Sequence, residues 1–141
     1  MVAKYNSKQR TRGVTTPKRL FLNLEGAFPW NGKIYDKLSG KSGVYLISVI
    51  GWERWIPYLH GKSNIIYVGE SEDIGKRLRQ HKSIGINHEL KGYVDGCFLN
   101  VYYRNVLNVS ELKTHEAQMI LEFEDRYGGI PMCNGQRPDV D

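Results

Sequence analysis

At 141 residues, with 40% hydrophobic and 25% charged side chains, the chain suits one domain with a buried core. Mean hydropathy is −0.48, and no apolar run approaches the roughly 20 residues a membrane span needs. The polar, basic start Met1–Asn6 and the two distant thiols Cys97 and Cys133 set an expectation of a reduced, cytoplasmic protein without a secretory leader.

The net charge of +5 is unevenly placed. Residues 1–24 carry Lys4, Lys8, Arg10, Arg12, Lys18 and Arg19 and no acid, a net +6, while the remaining 117 residues sum to −1. Residues 1–24 are therefore expected to form a basic, flexible arm, and residues 25–141 a single domain. Such an arm suits a polyanion, each neutralised duplex phosphate steepening the salt dependence of binding by about 0.9.

Residues 21–42, with Gly26, Pro29, Gly32 and Gly40, read as an irregular lead-in. The β-branched and aromatic run 43–50 predicts a strand, and 65–69 a second. Between them, Gly51–Ser63 carries Trp52, Trp55 and Pro57 and reads as a loop or distorted hairpin tip. Ser71 is the expected N-cap of a helix to about Lys82, with Ile74, Leu78 and His81 at helical spacing. Residues 97–104 alternate as a third, half-buried strand. Ser110 is the expected cap of a last helix ending near Tyr127, ahead of Gly128-Gly129 and Pro131. The expected fold is α+β, a small three-stranded antiparallel sheet flanked by helices.

The last helix holds the most informative residue. Leu112, Met119, Ile120, Phe123 and Tyr127 form one apolar stripe, and at about 100° per residue Glu116 falls inside it. A carboxylate facing a core needs a cation, a hydrogen-bond network or a metal. On the preceding helix Arg77 and His81 are an i,i+4 pair on the flank where helix meets sheet, and Lys76, Arg79 and Lys82 add a basic face. Tyr45 and Tyr67 sit in the first two strands, each near a glycine, and share a face if those strands pair. The two near-matches to a phosphate-binding loop, Gly40-Lys41-Ser42 and Gly61-Lys62-Ser63, lack the upstream glycine. The histidines and cysteines show no zinc-ligand spacing.

Taken in order, Gly43-Val44-Tyr45, Tyr67-Val68-Gly69, Arg77-Leu78-Arg79-Gln80-His81, Glu116 and Asn134 resemble the GIY-YIG nuclease superfamily. The resemblance implies a small α/β sandwich that hydrolyses DNA phosphodiesters with one divalent metal, Mg²⁺ or Mn²⁺. Carried onto this chain, it makes Tyr45, Tyr67, Arg77, His81, Glu116 and Asn134 the catalytic set, with Glu116 as metal ligand. The sequence departs from the family pattern in three ways: valine stands at 44 and 68, 51–63 looks inserted, and Glu116 lies 18 residues before Asn134. Shorter spacing in repair members would select Glu122, which is held in reserve.

In that reading Arg77 grips the phosphate bidentately, and Tyr45 is the candidate base, its phenol needing a nearby cation to lower it from about 10. Asn134 positions the Tyr67 segment or the substrate. Lys76, Arg79, Lys82, Arg10, Arg12, Lys18 and Arg19 are expected to contact nucleic acid, duplex DNA ahead of single strands. A homodimer or protein partner is left open. The expected activity is a restriction-like or mobile-element type of endonuclease. The alternative is a non-catalytic or partner-dependent nucleic-acid-binding module of the same fold.

Overall fold

The computed structural model describes residues 16–135, 137 and 138; Arg10 and Arg12 lie outside them. The sheet is built around β2 (Gly43–Val49), whose seven residues are all buried. It pairs antiparallel with β5 (Ile65–Ser71) on one side and β6 (Leu99–Asn105) on the other. A strand covered on both faces has no need of polar alternation, which is why its sequence is continuously apolar.

The sheet has four strands rather than three, in the order β1-β6-β2-β5. The added strand, β1 (Glu25–Pro29), pairs with β6 at the outer edge. Gly26 and Pro29 hide it in the sequence, and both are tolerated because an edge strand leaves one row of backbone groups unpaired. Helix α2 (Ile34–Lys37) follows.

Two apolar clusters cover the sheet. On one face Val44, Leu46, Ile65 and Val68 meet α5 (Leu112–Tyr127), whose buried residues are the five of the expected stripe. Full burial of each of these large side chains contributes about 1.5–3 kcal/mol. Phe21 and Leu24 join the same cluster at 1% and 9% exposure, behind a short helix α1 (Pro17–Leu20). On the other face Tyr45, Ile47, Val49 and Ile66 meet α2, α3 (Ile74–Ser83) and α4 (His88–Gly96).

Both expected helix caps move. Strand β5 runs two residues further than the sequence suggests, so Ser71 closes a turn on Asp73 (Oγ to Asp73 O, 2.9 Å), and Asp73 caps α3 by accepting from Lys76 N at 3.1 Å. At the last helix, Asn108 accepts from Ser110 N at 3.1 Å and caps one 3-10 turn, Val109–Glu111, before α5 begins. Helix α4 has no counterpart in the sequence reading, because Gly92 lies inside it and Gly96 ends it.

The 51–63 insertion is an ordered hairpin. Strands β3 (Ile56–Tyr58) and β4 (Gly61–Ser63) pair around Leu59-His60. The Tyr58 ring packs 5.1 Å from Phe123, and His60 N donates to Tyr127 O at 2.9 Å, docking the hairpin on the end of α5. Among the described residues, no helix is long and apolar enough to cross a membrane.

Candidate active site

The register of β2 on β5 sets the site. Tyr45 lies opposite Gly69 and Ile47 opposite Tyr67, but Ser48 lies opposite Ile65, which leaves Ile66 unpaired. Tyr67 shares the face of Tyr45 by ordinary alternation from Gly69, and the extra residue adds Ile66 to that face. The tyrosine rings stand 6.0 Å apart. Gly69 is dictated by that crowding, since a Cβ there would sit 2.7 Å from Tyr45 Cζ and Oη and from Tyr67 Cε2. Gly69→Ala is expected to cost about 1–3 kcal/mol of stability in a urea titration, and to lower activity by parting the rings.

Helix α3 brings His81 to the same rings. Its imidazole is 1% exposed, with Nε2 2.9 Å from Tyr45 Oη and the ring centroid 5.4 Å from that of Tyr67. The result is a hydrogen-bonded chain, His81–Tyr45–Tyr67. Burial pushes the Tyr45 phenol well above its usual 10, with Tyr67 adding to the rise and Arg77 only partly offsetting it. Burial and then Glu116 raise Tyr67, while the Tyr45 hydroxyl bonded to it acts in the opposite direction. Arg77 by itself does not leave either phenol lowered, because burial outweighs the guanidinium.

Burial, and then Arg77, hold the His81 imidazole down to about 4. Its Nδ1 is buried with no partner among the described residues. An unfolded histidine titrates near 6.5, so between those values the unfolded chain binds the extra proton. The stability His81 supplies is therefore complete above about pH 6.5 and is lost as pH falls towards 4. Thermal melts across that range are expected to show a shallower acid loss for His81→Asn than for the wild type.

Arg77 is half-buried and lines a cleft of about 340 Å³ with Glu70, Ser71, Glu72, Asp73, Lys76 and Gln80. Among the described residues its guanidinium has no ion-pair partner. Glu116 reaches the site from α5 on the opposite face of the sheet, and acts electrostatically on both phenols, as Arg77 does. Burial, and next the carboxylate of Glu70, raise the Glu116 carboxyl, against weaker lowering by Lys113 and Arg77. Glu122 is exposed and lines a separate cleft with Gln118, Leu121 and Asp125. Asn134 grips the outer edge of β5, accepting from Val68 N at 3.0 Å and donating to Val68 O at 2.8 Å. It acts on the strand that carries Tyr67.

Sequence reasoning missed Glu70 and Lys113, which pair at 3.3 Å, with Glu70 only 19% exposed. Alternation from Val68 was the available signal, since Glu70 lies opposite Val44 and so shares the face of α5. The expected nucleic-acid contacts divide. Lys18, Arg19, Lys76, Arg79 and Lys82 are all exposed, and among the described residues Lys82 alone of these is paired, 3.0 Å from Asp95.

The donors suit a hard divalent cation. Glu116 and Glu70 are carboxylates whose mutual repulsion a cation would relieve. Among the described residues, no three His, Cys, Asp or Glu side chains gather as a metal cluster, so the protein would supply few ligands and leave places for water and phosphate oxygens.

Comparison with curated proteins and with solved structures returned no match. The family model of the GIY-YIG catalytic domain matches residues 41–127, the stretch holding both tyrosines, Arg77, His81 and Glu116. The chain belongs to the GIY-YIG nuclease superfamily.

Proposed function

We propose that this chain is a metal-dependent DNA endonuclease whose catalytic set is Tyr45, Tyr67, Arg77, His81 and Glu116, with Asn134 as a positioning residue. What carries the reading is convergence. An unpaired guanidinium from α3 and an under-compensated carboxylate from α5 come from opposite faces of the sheet to one tyrosine–histidine chain. Binding alone has no use for a half-buried acid whose field reaches the same phenols as an unpaired guanidinium.

Glu116 is the proposed ligand of Mg²⁺ or Mn²⁺, with Glu70 beside it. Such an ion, when bound, supplies positive charge to the phosphate oxygens and acidifies coordinated water. Arg77 orients the phosphate with two parallel N–H donors and offsets charge developing on it. The attacking water's proton goes to the tyrosine pair. As Tyr67 or Tyr45 accepts it, the hydroxyl proton is shared along the chain with His81 Nε2, which is neutral at pH 7 and, held down to about 4, returns it along the chain for the leaving oxygen. The high phenol pKa values suit this relay, because neither tyrosine need exist as a resident phenolate.

The domain reading is a basic arm, residues 1–24, whose Phe21 and Leu24 pack on the core, followed by one nuclease domain, residues 25–141, and the proposed location is the cytoplasm. A restriction-like or mobile-element role is supported by the docked hairpin region. Trp52 and Trp55 there lie 4.8 Å apart with their rings tilted by 45°, and Lys62 lies 5.6 Å from the Trp52 ring, an aromatic and cationic surface suited to DNA.

Supercoiled plasmid incubated with the full chain and Mg²⁺ or Mn²⁺ is expected to be nicked or linearised, and EDTA to stop the reaction. Binding without cleavage under both metals would instead support the non-catalytic module.

A further inference from the structure

Some described cations are paired with acids. Lys82 and Lys91 share Asp95, Lys113 pairs with Glu70, and Arg137 pairs with Glu124. By contrast Lys33, Lys37, Lys41, Lys76 and Arg79 are all exposed, and none has a carboxylate within ion-pair range among the described residues. These five come from α2, the 38–41 loop and α3.

That surface is a single stiff block. Asp73 accepts from Gly40 N at 3.0 Å and Lys76 N at 3.1 Å, while Ile74 N donates to Lys41 O at 2.9 Å and Gly75 N to Leu38 O at 3.0 Å. Gly75 permits this seating, since a Cβ there would collide with Tyr35 O and come within 2.8 Å of Ser39 N. The Arg79 guanidinium is fixed 4.5 Å above the Tyr35 ring, whose hydroxyl accepts from Trp30 Nε1 at 3.0 Å. Lys37 Nζ lies 4.9 Å from the Phe28 ring. Arg79 and Lys37 are held on aromatic faces rather than on acids, which leaves their charge available to an anion.

We propose that this block is a phosphate-contact track for duplex DNA, carrying the backbone that flanks the phosphate at Arg77. The inference rests on the nuclease reading above and extends its contact surface to α2 and the 38–41 loop. Lys76 links the two regions, because it lines the Arg77 cleft and also follows Asp73, which ties down Gly40. The acids nearby are Asp36 and Glu72, both exposed, and Asp73, whose Oδ1 is turned to backbone N–H groups. Five free cations against two solvent-facing acids leave a net positive surface, and a polyanion is the complementary partner. Lys82 falls outside the track because Asp95 occupies it.

The test compares the full-length wild type with the triple variant Lys33→Gln/Lys37→Gln/Lys41→Gln, in EDTA so that nothing is cut. Fluorescence anisotropy on a labelled duplex gives the slope of log affinity against log salt. The triple variant is expected to bind more weakly and to lose about 2–3 from that slope, at about 0.9 per phosphate contact. Lys91→Gln is expected to keep the wild-type slope. A triple variant with the wild-type slope overturns the track, as does a wild type without salt-dependent binding.

Lysine acetylation read by mass spectrometry supplies an independent measurement. Bound duplex is expected to protect Lys33, Lys37 and Lys41 and to leave Lys91 reactive; equal reactivity with and without DNA overturns the proposal. Neither experiment involves cleavage. Failure of the nuclease reading shows instead as an unnicked plasmid, so the two failures are separable.

Discussion

Glu116→Gln is expected to lower DNA cleavage by about 10²–10³-fold or more, with duplex affinity in EDTA nearly unchanged. The exchange keeps the side chain's size and removes the one charge that α5 brings to the tyrosine pair. Burial and Glu70 raise the Glu116 carboxyl, so the folded chain disfavours its charge. Sign follows from this: above the normal carboxylate range, the neutral amide should leave the fold as stable as the wild type or more so. A variant that melts no lower than wild type, fails to cut and binds Mn²⁺ more weakly by calorimetry would isolate the loss to the metal. Glu122→Gln is the matched control, being exposed in another cleft, and should cut normally. Full activity of Glu116→Gln would remove the proposed metal ligand.

The second large effect is at Arg77. Arg77→Lys is expected to lose about 10²–10³-fold in kcat, nearly as much as Arg77→Ala, because a point charge cannot present two parallel donors. A separate signature comes from the field of the guanidinium, which now helps to hold His81 down to about 4 and to restrain the rise of both phenols. In Arg77→Ala the imidazole should titrate at higher pH, and the phenols should rise further. NMR titration of His81 reads this directly. An unmoved midpoint would mean that the guanidinium lies too far from the rings for the proposed role.

Much of the site was legible because its constraints are local. The stripe of α5 was readable from spacing alone, and Glu116 stood out because a carboxylate interrupts five positions that all proved buried. Ile74, Leu78 and His81 were readable for the same reason. Edge elements were harder to see. Strand β1 carries Gly26 and Pro29, which an interior strand would reject, and only pairing with β6 makes it a strand. Helix α4 is held by its Asn87 cap and by Leu90 in the core rather than by intrinsic propensity.

Sequence by itself determined the strand–strand–helix core, the apolar face of the last helix and the kinds of side chain able to act on a phosphodiester. Periodicity and residue chemistry carry that information without distant contacts. Only the tertiary structure decided which of those side chains meet and in what state. Gly69 let the rings of Tyr45 and Tyr67 close to 6.0 Å, Glu70 came to lie beside Glu116, and Asp95 paired with Lys82. Burial then pushed phenols and imidazole away from their ordinary values. Desolvation depends on everything packed around a group, and no stretch of chain records it locally.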